Sequence, residues 1–218
     1  MSSFKYIAFY DLDHTILDGN SATFLVMEAR KRKVMSAKQY RHAVWLSILY
    51  KLDIGNPTLM INRMLSWLKG QKVADIMDLA QDIFVSIIKE TVRPRILETI
   101  QEHRAKNGAV VLLSSATTPI CQPVTHYMEL DEMICTQLES EDGILTGHTH
   151  GKLVYGPEKK VRMLAFCNER GYDPKEAWYY GDSHTDRYVM EAVGNPVAVS
   201  PDKRLLKIAN RKHWPILL

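Results

Sequence analysis

Short apolar runs alternate with amphipathic helical patterns through the second half of the chain. The runs are rich in β-branched and aromatic residues and are bounded by polar residues or glycine, which predicts strands. Strands that alternate with helices are typical of a parallel sheet with crossover helices, so we predict an α/β fold. The predicted strands are residues 5–11 (KYIAFYD), 109–115 (AVVLLSS), 132–140 (EMICTQLES), 177–183 (AWYYGDS) and 196–200 (PVAVS).

The region between the first two predicted strands has a different pattern. It has helix-forming composition, apolar residues at i, i+3 and i+4, and breaks at residues 52–58 (LDIGNPT) and 68–71 (LKGQ). We therefore predict a helical cap, residues 20–89, inserted after the first strand of a core formed by residues 1–19 and 90–218. Two more helices are predicted at 91–108 and 157–171, and the glycine-rich alternation of residues 142–156 predicts a β-hairpin.

Composition narrows the functional classes. The 218 residues are 46% hydrophobic and 24% charged, enough to bury a substantial core. The net charge is only +3, which does not favour a nucleic-acid partner. Charge is uneven, because residues 30–51 contain seven Lys or Arg residues and no Asp or Glu. We interpret this stretch as a solvated helix surface, with attraction of an anionic substrate or a membrane surface as the less favoured alternative.

Cysteine usage and the apolar runs indicate a cytoplasmic protein. Cys121, Cys135 and Cys167 are odd in number and lack CxxC spacing, so we predict neither a disulfide framework nor a zinc site. The N-terminal apolar run is interrupted by Asp11 and Asp13, which is unlike a signal peptide. Residues 42–50 (HAVWLSILY) are too few to span a bilayer and predict the buried face of a helix; membrane contact is not favoured.

Four short polar elements lie at the ends of predicted strands or at a helix start. The carboxyl ends of parallel strands share one sheet edge, so these elements should lie close together. Clustered carboxylates resist joint ionisation unless a cation is present, and oxygen ligands suit Mg²⁺. A hydroxyl, helix-start amides and an ammonium would hold a phosphate dianion, so the set predicts magnesium-dependent phosphoryl transfer. The elements are residues 11–15 (DLDHT), 114–117 (SSAT), Lys160, and 181–186 (GDSHTD).

Together and in this order, these elements resemble the four motifs of the haloacid dehalogenase superfamily. The insertion after the first element and residues 145–164 (LTGHTHGKLVYGPEKKVRML) resemble its phosphoserine phosphatase-like branch, subfamily IB. The resemblance implies a Rossmann-like three-layer parallel sheet with a small helical cap. It also implies a phosphatase that acts on a small phosphorylated metabolite through an aspartyl-phosphate. A phosphotransferase or phosphomutase of the superfamily, or a non-enzymatic phospho-signalling or binding module, is the alternative.

The resemblance also implies roles for the acidic residues. Asp11 would attack phosphorus, and Asp13 would protonate the leaving oxygen and later activate water. Asp182, Asp11 and the backbone carbonyl of Asp13 would hold Mg²⁺. Asp186 would support this site by facing a metal-bound water or by pairing with the motif lysine.

Ser115, the Ala116 amide and Lys160 are the implied phosphate-binding groups. Ser114 competes with Ser115, which is preferred because the following residues resemble the usual continuation of the motif. Lys159 competes with Lys160, which is preferred because of its spacing from residues 161–164 (VRML).

The implied substrate differs from that of the branch. Phosphoserine phosphatases typically have a substrate-binding glutamate nine residues after the nucleophile, where this chain has Asn20. L-Phosphoserine is therefore not favoured, unless Glu28 or another cap acid replaces that glutamate. His14 and His184 lie inside two motifs and are predicted to line the cleft. The expected partner is a small phosphomonoester, and the sequence indicates no oligomeric state.

Overall fold

The computed structural model describes residues 4–51 and 56–218. Its main sheet has six parallel strands in the order β3-β2-β1-β6-β7-β8, which confirms the α/β prediction. A separate antiparallel pair, β4 and β5, forms a hairpin. The strands are β1 (Tyr6–Tyr10), β2 (Gly108–Thr117), β3 (Glu132–Thr136), β4 (Leu138–Glu141), β5 (Ile144–Thr149), β6 (Trp178–Gly181), β7 (Asn195–Val199) and β8 (Ile216–Leu217).

Helices cover both faces of the sheet. Along the chain, the first four helices follow β1 and precede the fifth helix, which leads into β2. Short 3₁₀ turns occur at Ser66–Leu68, Ile88–Thr91 and His184–Asp186. The helices are α1 (Ser21–Lys31), α2 (Ala37–Lys51), α3 (Pro57–Leu65), α4 (Val73–Ser86), α5 (Pro94–Ala105), α6 (Thr118–Tyr127), α7 (Pro157–Arg170), α8 (Arg187–Met190) and α9 (Lys203–Lys212).

Alternate residues of β1 pack into two different hydrophobic clusters, as expected when successive side chains point to opposite faces of a strand. Ala8 and Tyr10 belong to a cluster that includes residues of α1, α2, α4, α5 and α6. Ile7 and Phe9 belong to a cluster that includes residues of α7 and α9. The sheet is therefore the middle of three layers, and the inserted helices share a hydrophobic core with one of its faces.

Residues 132–140 do not form the single strand that the sequence predicts. β3 ends at Thr136, whose buried hydroxyl donates a hydrogen bond to the Ser115 carbonyl oxygen at 2.9 Å. The chain then leaves the main sheet, and β4 pairs with β5. A hairpin therefore forms at residues 138–149 and not within residues 142–156 as predicted, because the partner of β5 is the end of the predicted strand 132–140. The hairpin contacts the segment before α4, since Gly70 N–H donates to the Leu145 carbonyl oxygen at 2.9 Å.

The apolar stretch at residues 42–50 is only partly a buried face. Ala43 and Leu46 are buried, as predicted, but Val44, Trp45 and Ile48 are exposed, and Trp45 retains 54% of its accessible surface. The predicted helix break that follows lies partly outside the described residues. In the part of the chain that the structure describes, no helix is both long enough and apolar enough to cross a bilayer.

Candidate active site

The loop after β1 places Asp11 at the carboxyl edge of the sheet. Asp11 is buried, and its N–H donates a hydrogen bond to the Tyr180 carbonyl oxygen of β6 at 2.9 Å. The loop then turns at His14, whose φ is 57° and whose N–H donates to the Gly19 carbonyl oxygen at 3.1 Å. His14 itself is exposed. The nucleophile candidate is thus held between neighbouring strands, whereas His14 shapes the loop.

The lysine of the site is Lys159, and the prediction of Lys160 is wrong. Lys159 is 4% exposed, and its Nζ lies 2.8 Å from Asp11 Oδ1 and 2.8 Å from Asp186 Oδ1. Lys160 is exposed. One residue along an α-helix rotates the side chain by about 100°, so only one of the two lysines can face the sheet.

A signal for this choice is present in the sequence. Lys159, Met163 and Cys167 follow one another at intervals of four residues, and these three are the buried residues of α7. The buried stripe of the helix therefore passes through Lys159, which spacing from the motif alone did not reveal.

Sequence reasoning missed Tyr179, which lies on β6 and is completely buried. Its hydroxyl donates a hydrogen bond to Asp186 Oδ1 at 2.8 Å and accepts one from Lys159 Nζ at 3.2 Å. Tyr179 therefore hydrogen-bonds to both members of the Lys159–Asp186 ion pair, and Lys159 also contacts Asp11. In the sequence it reads as an ordinary strand aromatic, and the only signal is its position two residues before Gly181, on the same face of the strand.

Three carboxylates form the acidic cluster of the site. Oxygen atoms of Asp11, Asp182 and Asp186 all lie within 4.8 Å of one another. The Asp13 carboxylate faces elsewhere: Oδ1 accepts a hydrogen bond from Ser21 N–H at 2.8 Å and Oδ2 accepts one from Asn20 Nδ2 at 3.2 Å. An all-oxygen donor set suits a hard divalent cation, so these residues fit Mg²⁺.

Burial determines the electrostatics of the cluster. Burial raises the pKa of Asp11 to about 6, although the Lys159 charge opposes this shift. Burial, together with the charges of Asp186 and Asp11, raises the pKa of Asp182 to about 9. Burial also raises the pKa of Asp13 above its usual value, against the hydrogen bond from Ser21. A cation at the cluster would relieve these costs by offsetting the carboxylate charges.

Lys159 has the opposite balance. Burial alone would lower its pKa, but the carboxylates of Asp11 and Asp186 outweigh burial and raise the pKa well above its ordinary value. The ammonium is therefore charged at neutral pH and supplies a fixed positive charge beside Asp11.

The end of β2 carries the hydroxyl candidates. Ser114 is buried, and its Oγ accepts a hydrogen bond from Ala116 N–H at 3.2 Å, whereas Ser115 is half-buried. Strand alternation places Ser115 on the same face as Leu113, which belongs to the cluster that contains Phe9. Asp11 continues the face of Phe9, so regular alternation would favour Ser115. The pairing of β2 with β3 shifts register between Leu113 and Thr117, so the choice of Ser115 stays a prediction. The Ala116 N–H, a predicted phosphate donor, bonds to Ser114 Oγ within β2, and its phosphate-binding role stays a prediction.

Helix α6 begins at Thr118, directly after the end of β2, so its first turn lies beside the hydroxyl candidates. Its N-cap residue, Thr117, makes no side-chain hydrogen bond to the helix. Amide groups in the first turn of a helix are not bonded within the helix, and they favour an anion.

The remaining predicted residues lie around this site without joining the acidic cluster. Asn20 is the N-cap of α1. The carboxylate of Glu28 accepts hydrogen bonds from Arg32 Nε at 2.9 Å and Lys31 Nζ at 3.4 Å, so it is paired with two residues at the end of α1. The His184 N–H donates to Asp202 Oδ2 at 2.7 Å, which fixes the loop after Asp182 to the start of α9.

The comparison with known families decides the identity of the chain. The model of the haloacid dehalogenase-like hydrolases matches residues 8–191. The chain belongs to the haloacid dehalogenase-like hydrolase family. The enzyme is 27% identical to the histidinol-phosphatase of Neisseria meningitidis over 98% of both chains. It is 26% identical to phosphoserine phosphatase SerB1 of Mycobacterium tuberculosis, over 96% of this chain and 69% of that protein.

Solved structures show the same fold. A protein of unknown function from Bordetella pertussis Tohama I superposes with a TM-score of 0.89 at 21% identity, over 99% of both chains. A phosphoserine phosphatase captured as a phospho-aspartyl intermediate analogue has a TM-score of 0.73 at 18% identity, over 99% of this chain and 94% of that chain. The haloacid dehalogenase-like fold is therefore shared over nearly the whole chain, and the hydrolase resembles phosphatases in both sequence and fold.

We expect Mg²⁺ to raise the melting temperature more at about pH 8.5 than at about pH 6. A carboxyl whose pKa is higher in the folded than in the unfolded state binds more protons when folded. The metal-free protein should therefore lose stability as pH rises from about 4 through the raised pKa values of Asp11 and Asp182, about 6 and about 9. A cation replaces the missing protons. Calorimetry with EDTA or with Mg²⁺ checks this, and equal shifts at both pH values contradict it.

Proposed function

We propose that this hydrolase is a magnesium-dependent phosphomonoester phosphatase that acts on a small phosphorylated metabolite through an aspartyl-phosphate at Asp11. The contact that carries the proposal is the buried Lys159 Nζ at 2.8 Å from both Asp11 Oδ1 and Asp186 Oδ1, beside Asp182. A carboxylate and a dianionic phosphate repel each other, so Asp11 can attack phosphorus only if nearby positive charge offsets this repulsion. The buried Lys159 ammonium supplies part of that charge. The family and the phosphatase names of its relatives support the same reaction class.

In the first half-reaction, an Asp11 carboxylate oxygen forms a bond to phosphorus as the bond from phosphorus to the ester oxygen breaks. Because Lys159 bonds to Oδ1, we assign the attack to Oδ2. The leaving oxygen takes a proton from Asp13. In the second half-reaction, Asp13 removes a proton from water, which attacks phosphorus and releases Asp11 and inorganic phosphate.

Ser115 and Lys159 hold the transferring phosphoryl group in this proposal. The Ser115 hydroxyl and the first turn of α6 supply donors on one side, and Lys159 supplies positive charge on the other. Lys159 is kept in place by Asp186 and Tyr179, which also bond to each other. These groups are arranged before substrate arrives, so little reorganisation is needed in the transition state.

Asp11, Asp182 and the backbone carbonyl of Asp13 would hold magnesium, with Asp186 in a supporting position. When bound, magnesium offsets the charge of the carboxylates and of the substrate phosphate.

The substrate is a phosphomonoester other than L-phosphoserine. Asn20 has an amide and no carboxylate, and its amide bonds to Asp13 and Thr23. The Glu28 carboxylate is paired with Arg32 and Lys31, so neither residue offers an unpaired carboxylate to the ammonium group of phosphoserine. The cap, residues 20–89 of the prediction, would supply the groups that select among other esters.

Phosphate release from a panel of phosphomonoesters, with magnesium or with EDTA, tests this function. The panel contains phosphoserine, histidinol phosphate, sugar phosphates, nucleotides and lysophosphatidate. Magnesium-dependent release, with phosphoserine a poor substrate, is the expected result. A phosphotransferase of the same family would instead require an acceptor alcohol and would form a phosphorylated alcohol in place of inorganic phosphate. Absence of turnover on the panel, with or without acceptors, contradicts both.

Tyr179→Phe should lower kcat about three- to tenfold and change KM little, because the variant removes two hydrogen bonds, one to Lys159 and one to Asp186, without removing either charge. The Tyr179 hydroxyl acts on the substrate only through Lys159 and Asp186, so we expect substrate binding to be retained. Steady-state kinetics with a substrate found in the panel provides the measurement. Tyr180→Phe is the control, since its hydroxyl contacts His103 at 2.9 Å and not the site. An equal loss in the two variants would count against a role for Tyr179.

A further inference from the structure

Asn20 uses both ends of its side-chain amide. Its Oδ1 accepts hydrogen bonds from Thr23 N–H at 2.9 Å and Thr23 Oγ1 at 3.0 Å, which caps α1. Its Nδ2 donates to Asp13 Oδ2 at 3.2 Å. One side chain thus connects the first turn of the inserted helices to the proposed acid and base.

Asp13 is held by two donors from the same place. Asn20 Nδ2 bonds to one carboxylate oxygen, and Ser21 N–H bonds to the other at 2.8 Å. Two bonds to the two oxygens determine the plane of the carboxylate, not merely its position. Each carboxylate oxygen has two lone pairs, so each keeps one that can carry a proton toward a leaving group.

Helix capping alone does not account for an amide at this position. Serine and aspartate cap helices about as well as asparagine, because only the side-chain oxygen is needed. Aspartate at position 20 would place a second negative charge beside Asp13. The amide of asparagine carries its acceptor and its donor on two separate atoms, so Oδ1 can cap α1 while Nδ2 donates to Asp13, whereas a serine or threonine hydroxyl has both functions on one oxygen.

We propose that Asn20 is a positioning residue that orients the Asp13 carboxylate for proton transfer to the leaving oxygen. This inference rests on the proposed function of Asp13. It assigns Asn20 to the leaving-group step and not to recognition of a substrate ammonium. The contribution of Asn20 therefore depends on how much the leaving oxygen needs a proton.

Asn20→Ser tests the proposal, because serine keeps a capping oxygen but has no atom at the position of Asn20 Nδ2, which donates to Asp13. The measurement is kcat/KM for an alkyl phosphate and for p-nitrophenyl phosphate, since this ratio reports the steps up to formation of the phosphoenzyme. Alkoxide departs poorly without a proton, whereas p-nitrophenolate departs readily. We expect kcat/KM to fall about tenfold for the alkyl ester and less than about twofold for the p-nitrophenyl ester.

Thr23→Val is the matched control. It removes the Thr23 Oγ1 bond to Asn20 but leaves both donors to Asp13, so both esters should react at close to the wild-type rate. Asn20→Asp keeps the capping oxygen and adds repulsion, and it should lose at least as much alkyl-ester activity as Asn20→Ser. Melting temperatures close to that of the wild type would show that the cap of α1 is retained.

Equal loss for the two esters in Asn20→Ser, or no loss for either, overturns the positioning role while leaving the proposed phosphatase function intact. Failure of the wild-type protein to hydrolyse either ester, or full activity of an Asp11→Asn variant, overturns the proposed function itself. The two failures are therefore distinguishable.

Discussion

Asp11→Asn is expected to reduce kcat by about a thousandfold or more, the largest loss of any single substitution in this chain. The amide is nearly the same size as the carboxylate but lacks the charge and the nucleophilic oxygen needed to form the aspartyl-phosphate. Asp11 is also one of the three carboxylates of the acidic cluster, so its loss weakens cation binding. Steady-state phosphate release, and mass spectrometry of the enzyme quenched during turnover, would measure both the rate and the covalent intermediate.

Asp18→Asn is the matched control for this substitution. Asp18 lies in the same loop, but its side chain is 74% exposed and pairs with Arg93 outside the acidic cluster. Its variant should retain nearly full activity and should still form the phosphorylated intermediate. Retention of more than about a tenth of the wild-type rate by Asp11→Asn would exclude Asp11 as the nucleophile.

Lys159→Met is expected to lower kcat by about a hundredfold to a thousandfold, whereas Lys160→Met should have almost no effect. The first variant removes the only ammonium that contacts Asp11 and Asp186 among the described residues. It leaves the two buried carboxylates without a counter-charge, an effect that typically costs about 3–5 kcal/mol of stability when one partner of a buried pair is removed. Lys160 is exposed, so its substitution changes neither charge nor packing at the site.

Kinetics and melting temperature should be measured together for the two lysine variants. Lys159→Met should melt at a lower temperature, and Mg²⁺ should recover part of the difference because it offsets the same carboxylates. Circular dichroism distinguishes a folded, inactive enzyme from an unfolded one. A loss of activity in Lys160→Met as large as that in Lys159→Met would contradict the assignment of the site lysine.

The strands and the acidic motifs could be predicted because their signals are local. Residues 5–11 are apolar up to Asp11, and the structure confirms a strand there that ends at Tyr10. The same reasoning placed Asp182 after β6, and the structure brings it to Asp11. Residues 132–140 show where local patterning is insufficient. Both β3 and β4 have strand-like composition, and only pairing with different partners separates them.

By itself, the sequence determined the alternation of strands and helices, the residues that end the strands, and the oxygen-rich chemistry of the site. These properties follow from the period of hydrophobic side chains and from residue type, which act over a few positions. The tertiary structure decided that Lys159 faces Asp11, 148 positions away in the chain, that Tyr179 joins this pair, and that Asn20 bonds to Asp13. The rotational phase of a helix and the direction of a side chain depend on what packs against them. Distant segments supply those contacts only after the chain has folded.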